Sequence, residues 1–188
     1  IRYVFKDSPA DKAGLKRGDM FISIDGLQLT SSNFQTLLFT HKTYSIGFAT
    51  FNGTGFTPNG RSITVTAVSL MENPIHMDTV LNADGIKVGY LVYNSFSNSY
   101  DSLLNTSYDI ELNNVFGRFK SENIQKLILD LRYNGGGYIS TAVYLASMIY
   151  SLDKQLVFSK NQYNTLLTDY YFDTYGQDFF NDYFQDQI

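Results

Sequence analysis

Three consecutive glycines, Gly135-Gly136-Gly137, follow Asn134 just after the apolar run Lys126-Leu127-Ile128-Leu129-Asp130-Leu131, and a helical pattern begins directly beyond them. Glycine lets a backbone approach a substrate closely and leaves N–H groups free to face a developing oxyanion, so this turn could support acyl-transfer chemistry. The same residues also let a strand and a helix pack tightly, and on residue types alone that second reading is the stronger. A phosphate site at a helix N-terminus is a third reading. Its spacing is missing: neither G-x-G-x-x-G nor G-x-x-x-x-G-K-S/T occurs, and no acidic ribose partner is placed. Asp130 and Arg132 read as anchors of the turn rather than as reacting groups.

Other side chains offer less. Ser95, Ser97, Ser140 and Ser151 lie in no G-x-S-x-G elbow and have no evident base, so they read as caps, turns or surface hydroxyls. His41 and His76 are isolated, without an H-E-x-x-H pair, and are expected on the surface or in loops. The absence of cysteine excludes a disulfide framework and a thiolate metal site. No cofactor is expected. Lys154 and Lys160 follow the last clear helix with nothing in the sequence to bury them. The net charge of −4 and pI near 5.0 give no basic stripe, so nucleic acid is not an expected partner. No apolar run approaches the ~20 residues that cross a bilayer.

The elements that must position the glycine turn follow from periodicity. With 188 residues and 44% hydrophobic content, the chain can bury a core in one large domain or two small ones. Ile1–Phe5 reads as a strand, which makes both ends look truncated. Ser8-Pro9 starts a short helix to about Ala13, Gly14 stops it, and Met20–Ile24 is a strand closed by Asp25-Gly26. Ser31 or Ser32 caps a second helix with Phe34, Leu37 and Leu38 on one face. Tyr44–Phe51 and Arg61–Leu70 are strands separated by a loop containing Pro58.

A boundary is expected at Met71-Glu72-Asn73-Pro74. Beyond it Asp84-Gly85 signals a hairpin leading into Ile86–Tyr93. From Tyr100 to Phe119 the residues Tyr108, Leu112, Val115, Phe116 and Phe119 form one helical stripe. The strand ending near Leu131 and a helix over Tyr138–Tyr150, with inner face Ala142, Leu145, Ala146 and Ile149, complete a strand-helix-strand-helix order that implies a parallel pair. The tail from Gln162 is dense in Tyr and Phe, which argues against disorder.

Two of these segments carry a resemblance. Asp7-Ser8-Pro9-Ala10, Ala13-Gly14-Leu15, Gly18-Asp19 and the strand ending in Asp25-Gly26 together are similar to a PDZ domain, which typically takes an extended peptide as an added strand. Val88-Gly89-Tyr90-Leu91-Val92-Tyr93, a helix, and Leu127-Ile128-Leu129-Asp130-Leu131-Arg132-Tyr133-Asn134-Gly135-Gly136-Gly137 resemble, in that order, the core of tail-specific (carboxyl-terminal-processing) serine peptidases. Position 135 is often proline in that family and is glycine here.

The resemblance implies an α+β / α/β fold: an incomplete, β-rich PDZ-like domain over residues 1–71, a linker and hairpin over 72–85, and the N-terminal part of an α/β protease core over 86–188. It implies Gly137, with Gly136 beside it, as the oxyanion-hole candidates, and Phe34, Leu37 and Leu38 as peptide-binding candidates, though for at least two of those three burial in the core is the stronger reading. The family's nucleophile is a serine in a Ser-Ala-Ser type segment, activated by a lysine; no such segment follows Tyr138, so this chain is expected to be inactive by itself. The implied parent is a serine endopeptidase acting on proteins or peptides with exposed C-termini in the bacterial cell envelope, periplasmic or lipid-anchored. The carboxylate-binding loop of the PDZ groove is expected upstream of Ile1, so peptide binding is expected to be weak or absent. The tail aromatics are expected to pack on further core elements, leaving apolar surface through which the chain could self-associate. The alternative is a non-catalytic binding or scaffold protein on the same folds; a carbohydrate-binding module would rest on the tyrosines alone and lacks Trp.

Overall fold

A computed structural model describes residues 1–99, 106–150 and 153–186, so the expected helix start at Tyr100 and the hydroxyl of Ser151 lie outside the described residues. The chain divides into two compact units, Ile1–Glu72 and Asn73–Ile188.

In the first unit Ser8 caps α1 (Pro9–Lys12), its side chain accepting from the Asp11 N–H at 3.1 Å, with proline in the first turn where its missing donor is harmless. Strands β1 (Met20–Ile24), β2 (Leu27–Gln28), β3 (Thr43–Phe51) and β4 (Phe56–Thr66) form an antiparallel sheet in the order β2-β1-β3-β4. The β1–β2 turn holds Asp25 and Gly26 at positive φ, the conformation that Asp-Gly hairpins favour. Helix α2 (Phe34–Phe39) contributes Leu37 to a core of Leu15, Ile24, Ile46 and Phe48.

Three sequence expectations change here. Ile1–Phe5 is not a strand: Ile1 exchanges backbone bonds with Gly18 and Asp19, and the chain turns at Phe5–Ser8. Neither serine caps α2. Asn33 takes the cap position, and its side chain accepts from the Thr30 N–H instead, while the Ser32 hydroxyl meets that of Thr30. Pro58 lies inside β4 rather than in a loop, opposite Ala49 and next to a register shift in β3. An edge strand beside a bulge is where a residue without an N–H is tolerated.

In the second unit β5 (Ile75–Ala83) and β6 (Ile86–Tyr93) pair as a hairpin, and β7 (Lys126–Asp130) joins β6 in parallel, from Val88 opposite Lys126 to Val92 opposite Asp130. The crossover carries α3 (Ser107–Ser121), which buries Tyr108, Leu112, Val115 and Phe119, the expected stripe, with Phe116 packed beside it. The helix lies so close to the sheet that a Cβ on Gly89 would stand 2.8 Å from the Ile124 side chain and 3.2 Å from the Phe119 ring. Leu112, Val115 and Phe119, with Leu91, Tyr93 and Leu145, form the core of this unit.

Helix α4 (Ile139–Ile149) differs from its expected inner face: Thr141, Val143, Leu145 and Ser147 are buried, whereas Ile149 is exposed. The helix is covered on two sides, by the core at Leu145 and by the tail, where the Gln185 N–H donates to the Ser147 hydroxyl. That tail is ordered as β8 (Val157–Lys160), α5 (Thr165–Tyr175), a 3-10 turn over Gln177–Phe180 and β9 (Asn181–Tyr183), with β8 and β9 antiparallel. Tyr171 and Tyr175 pack on Phe179 with ring centroids 4.7 and 4.9 Å away. Leu166, Tyr170 and Tyr175 remain exposed.

Candidate active site

Parallel pairing brings the carboxyl ends of β6 and β7 together, and both α3 and α4 begin at that end, the end of a parallel pair where α/β proteins build their sites. Asp130 closes β7 almost fully buried. Its carboxylate accepts from the Tyr90 hydroxyl of the neighbouring strand at 2.8 Å and from the backbone and guanidinium of Arg132. The Arg132 hydrogen bonds hold the Asp130 carboxyl well below the usual carboxylate range, and the Tyr90 hydroxyl is pushed up by donating to it. This trio fastens the chain where it leaves the sheet, so Asp130 and Arg132 sit beneath the turn as anchors.

The glycine turn is tied down next. Asn134 donates from its side-chain nitrogen to the Tyr93 carbonyl at 3.0 Å and accepts from the Gly136 N–H at 2.8 Å. Phe96 then bridges Gly137 in parallel, its N–H donating to the Gly136 carbonyl at 2.9 Å and its carbonyl accepting from the Tyr138 N–H at 2.8 Å. In such a bridge the central residue's own N–H and carbonyl point away from the partner strand. The Gly137 N–H therefore faces outward, with no acceptor among the described residues, whereas the Gly136 N–H is occupied by Asn134. Gly136 and Gly137 hold φ of 103° and 142°, and a Cβ on Gly137 would stand 2.1 Å from the Phe96 carbonyl oxygen. Tight packing and an outward N–H are thus properties of the same residue.

Buried polar groups that the residue types did not single out lie at the end of β6 and at the starts of α3 and α4. Tyr93 ends β6 and Asn94 follows it, Asp109 lies in the first turn of α3 and Thr141 in that of α4; the Tyr93 hydroxyl, both polar atoms of the Asn94 side chain, one Asp109 oxygen and the Thr141 hydroxyl are buried without a partner among the described residues. Burial pushes the Tyr93 hydroxyl and the Asp109 carboxyl up. Only their position at a strand end or a first helical turn marked them in the sequence, and that signal is shared with ordinary caps.

Ser97 donates to the Ser99 carbonyl, and His41 sits 3.7 Å from the exposed Asp25 carboxylate. Lys154 pairs with Asp186. Among the described residues no group of three or more His, Asp or Glu could hold a metal, and no helix is long and apolar enough to cross a membrane.

In the first unit an apolar groove of about 400 Å³ is lined by Ile1, Val4, Phe5, Leu38, Val65 and Val68, among others. Tyr3 closes part of it, its hydroxyl donating to Glu72 at 2.8 Å and pushed up to about 12, chiefly by burial. Of the three peptide-binding candidates, Leu38 lines this groove, Leu37 is buried in the core, and Phe34 is 40% exposed and outside the groove.

Residues 87–182 match the family model described as peptidase family S41, and residues 1–37 match a PDZ domain model. The chain is 24% identical over 160 residues to a carboxyl-terminal-processing protease of Picosynechococcus sp., covering 80% of this chain and 36% of the relative. It is 26% identical over 161 residues to the chloroplastic carboxyl-terminal-processing peptidase 3 of Arabidopsis thaliana, covering 81% and 30%. A crystal structure of a Bacteroides fragilis NCTC 9343 protein assigned to the S41 proteases superposes on the whole chain with a TM-score of 0.72 and 26% identity, over 46% of its own length. The chain thus spans about a third of the curated relatives it matches.

Proposed function

This chain belongs to peptidase family S41, and on that premise we propose that it is the PDZ-like and glycine-turn portion of a serine endopeptidase that cuts proteins near exposed C-termini through an acyl-enzyme. One observation carries this reading: the Gly137 N–H points away from Phe96, at the carboxyl end of β6 and β7, where the oxyanion of a tetrahedral intermediate could accept it. The N-terminus of α4, directly after the turn, adds favourable field for the same negative charge. Gly137 is the oxyanion donor in this proposal, and Gly136 shapes the turn. Activated serine and lysine come from elsewhere in the parent protein, so the 188-residue chain alone does not turn substrate over.

The PDZ-like unit presents substrate tails. Its groove is apolar and of a size for a few side chains, and Leu38 is the candidate that lines it. The domain assignment that goes with this reading is a PDZ-like unit over 1–71, a linker and hairpin over 72–85 and the front of the protease core over 86–188. The relatives named above include bacterial and chloroplastic processing proteases, and an envelope location is the corresponding proposal for this one.

The test is a peptide with an unstructured, carboxylate-ended tail, incubated with the protein that carries this chain and with the 188 residues alone. Cleavage by the first and none by the second is expected. A protein that binds the tail and never cleaves it would be the non-catalytic scaffold instead.

A further inference from the structure

We propose that Asn134 is the positioning residue of the glycine turn, selecting which glycine N–H is available to an oxyanion; the inference rests on the oxyanion reading of Gly137 given above. The side-chain amide spans two elements. Its nitrogen donates to the carbonyl of Tyr93, a fully buried residue of the core at the end of β6. Its oxygen accepts from the N–H two residues on, at Gly136, closing an Asx-type turn. A side-chain amide carries a donor and an acceptor on separate atoms, so it can donate to one backbone and accept from the other. A carboxylate could do only the second.

Two consequences follow from this geometry. The Gly136 N–H is withdrawn from any substrate, so of these two glycines the donor left to the turn is Gly137. The turn is also referenced to two points on the chain that ends β6: Tyr93 through the Asn134 side chain, and Phe96 through the backbone of Gly136 and Tyr138. With Gly135, Gly136 and Gly137 in sequence the turn has little stiffness of its own, and nothing within 4 Å would meet a Cβ at Gly135 or Gly136. Fixing the Gly137 N–H to within a fraction of an ångström therefore falls to Asn134 and Phe96. Asn134 touches no reacting atom in this account; it acts through Gly137.

The experiment uses the protein that carries this chain, labelled with 15N-glycine and 15N-leucine, and its Asn134→Ala and Asn134→Asp variants. Amide exchange at Gly136 and Gly137 reads the clamp, exchange at Leu129 and Leu145 reads the core, and kcat and KM on a tail peptide read catalysis. In the unsubstituted protein Gly136 should exchange more slowly than Gly137. Asn134→Ala should speed Gly136 by about tenfold with the core amides unchanged, and lower kcat by about 100-fold with KM within about twofold, the signature of a displaced donor. Asn134→Asp retains an acceptor for Gly136 and should keep it protected, with kcat between the other two. Unchanged Gly136 exchange in Asn134→Ala overturns the clamp, whatever the activity. Faster Gly136 exchange with unchanged kcat leaves the clamp standing and overturns the oxyanion reading on which its catalytic role rests. If Asn134→Ala loosens Leu129 and Leu145 as well, Gly136 protection in Asn134→Asp decides, and its loss there counts against the proposal.

Discussion

Phe96 holds Gly137 at backbone distance: its N–H and carbonyl reach the residues on either side of the glycine, and its carbonyl oxygen would lie 2.1 Å from any Cβ placed there. Two stretches of chain more than forty residues apart thereby share one strand position. Gly137→Ala combines that collision with a φ of 142° and should destabilise the second unit by about 3 kcal/mol. Gly135→Ala, at a position without positive φ and with open space around its Cβ, should instead gain about 0.4–1 kcal/mol by restricting the unfolded chain. Urea midpoints of the two variants, moving in opposite directions, check both.

The α3 stripe offers a paired comparison on one helix. Leu112 is fully buried and Ile110 is 58% exposed. Leu112→Ala should lose about 2–5 kcal/mol, and Ile110→Ala should stay within about 0.5 kcal/mol. Thermal unfolding that separated these two variants by less than a degree would contradict the packing described for α3.

At Asp130 the prediction concerns pH. Its folded pKa is lowered by Arg132, so the stabilisation it contributes is present above the unfolded value of about 3.9 and is lost as pH falls from there toward the lower folded value. Asp130→Asn should therefore be less stable than the parent at neutral pH, with the difference shrinking as pH drops below about 4. Arg132 is half exposed, so solvent screening keeps the effect modest. Denaturant titrations at several pH values test it; a difference that grows in acid has the wrong sign.

Leu37 and Leu38 are neighbours with separate duties. Leu37→Ala opens the first unit's core and should cost about 2–5 kcal/mol of stability. Leu38→Ala removes a groove wall and should weaken binding of a carboxylate-ended peptide with a smaller loss of stability. Peptide titration beside thermal unfolding distinguishes them, and equal binding by the parent and Leu38→Ala would remove this groove as the peptide site.

Ser8→Ala should lower the stability of the first unit by about 1 kcal/mol, since the side chain is the acceptor for the Asp11 N–H at the start of α1. Ser8→Asp keeps an acceptor there and should recover most of the loss in a thermal melt.

Much of the local structure was legible. The α1 start at Ser8-Pro9, the Asp25-Gly26 and Asp84-Gly85 turns, and the buried stripe of α3 all depend on residues within one turn of each other, where φ preferences and periodicity act directly. Illegible features needed a distant partner. Pro58 looked like a loop residue until β4 proved to be an edge strand with a shifted register opposite it. The α4 face was misread because the tail at Gln185 buries Ser147, a contact 38 residues away.

By itself the sequence determined the kinds of element and their order, a glycine turn between an apolar strand and a helix, and the pattern that resembles a PDZ domain followed by a protease core. Short-range sterics and periodicity suffice for that. Which glycine N–H faces outward was decided only by the tertiary structure. That choice depends on Phe96 and the Tyr93 carbonyl lying beside the turn, which the parallel pairing of β6 with β7, under α3 packed against Gly89, brings together.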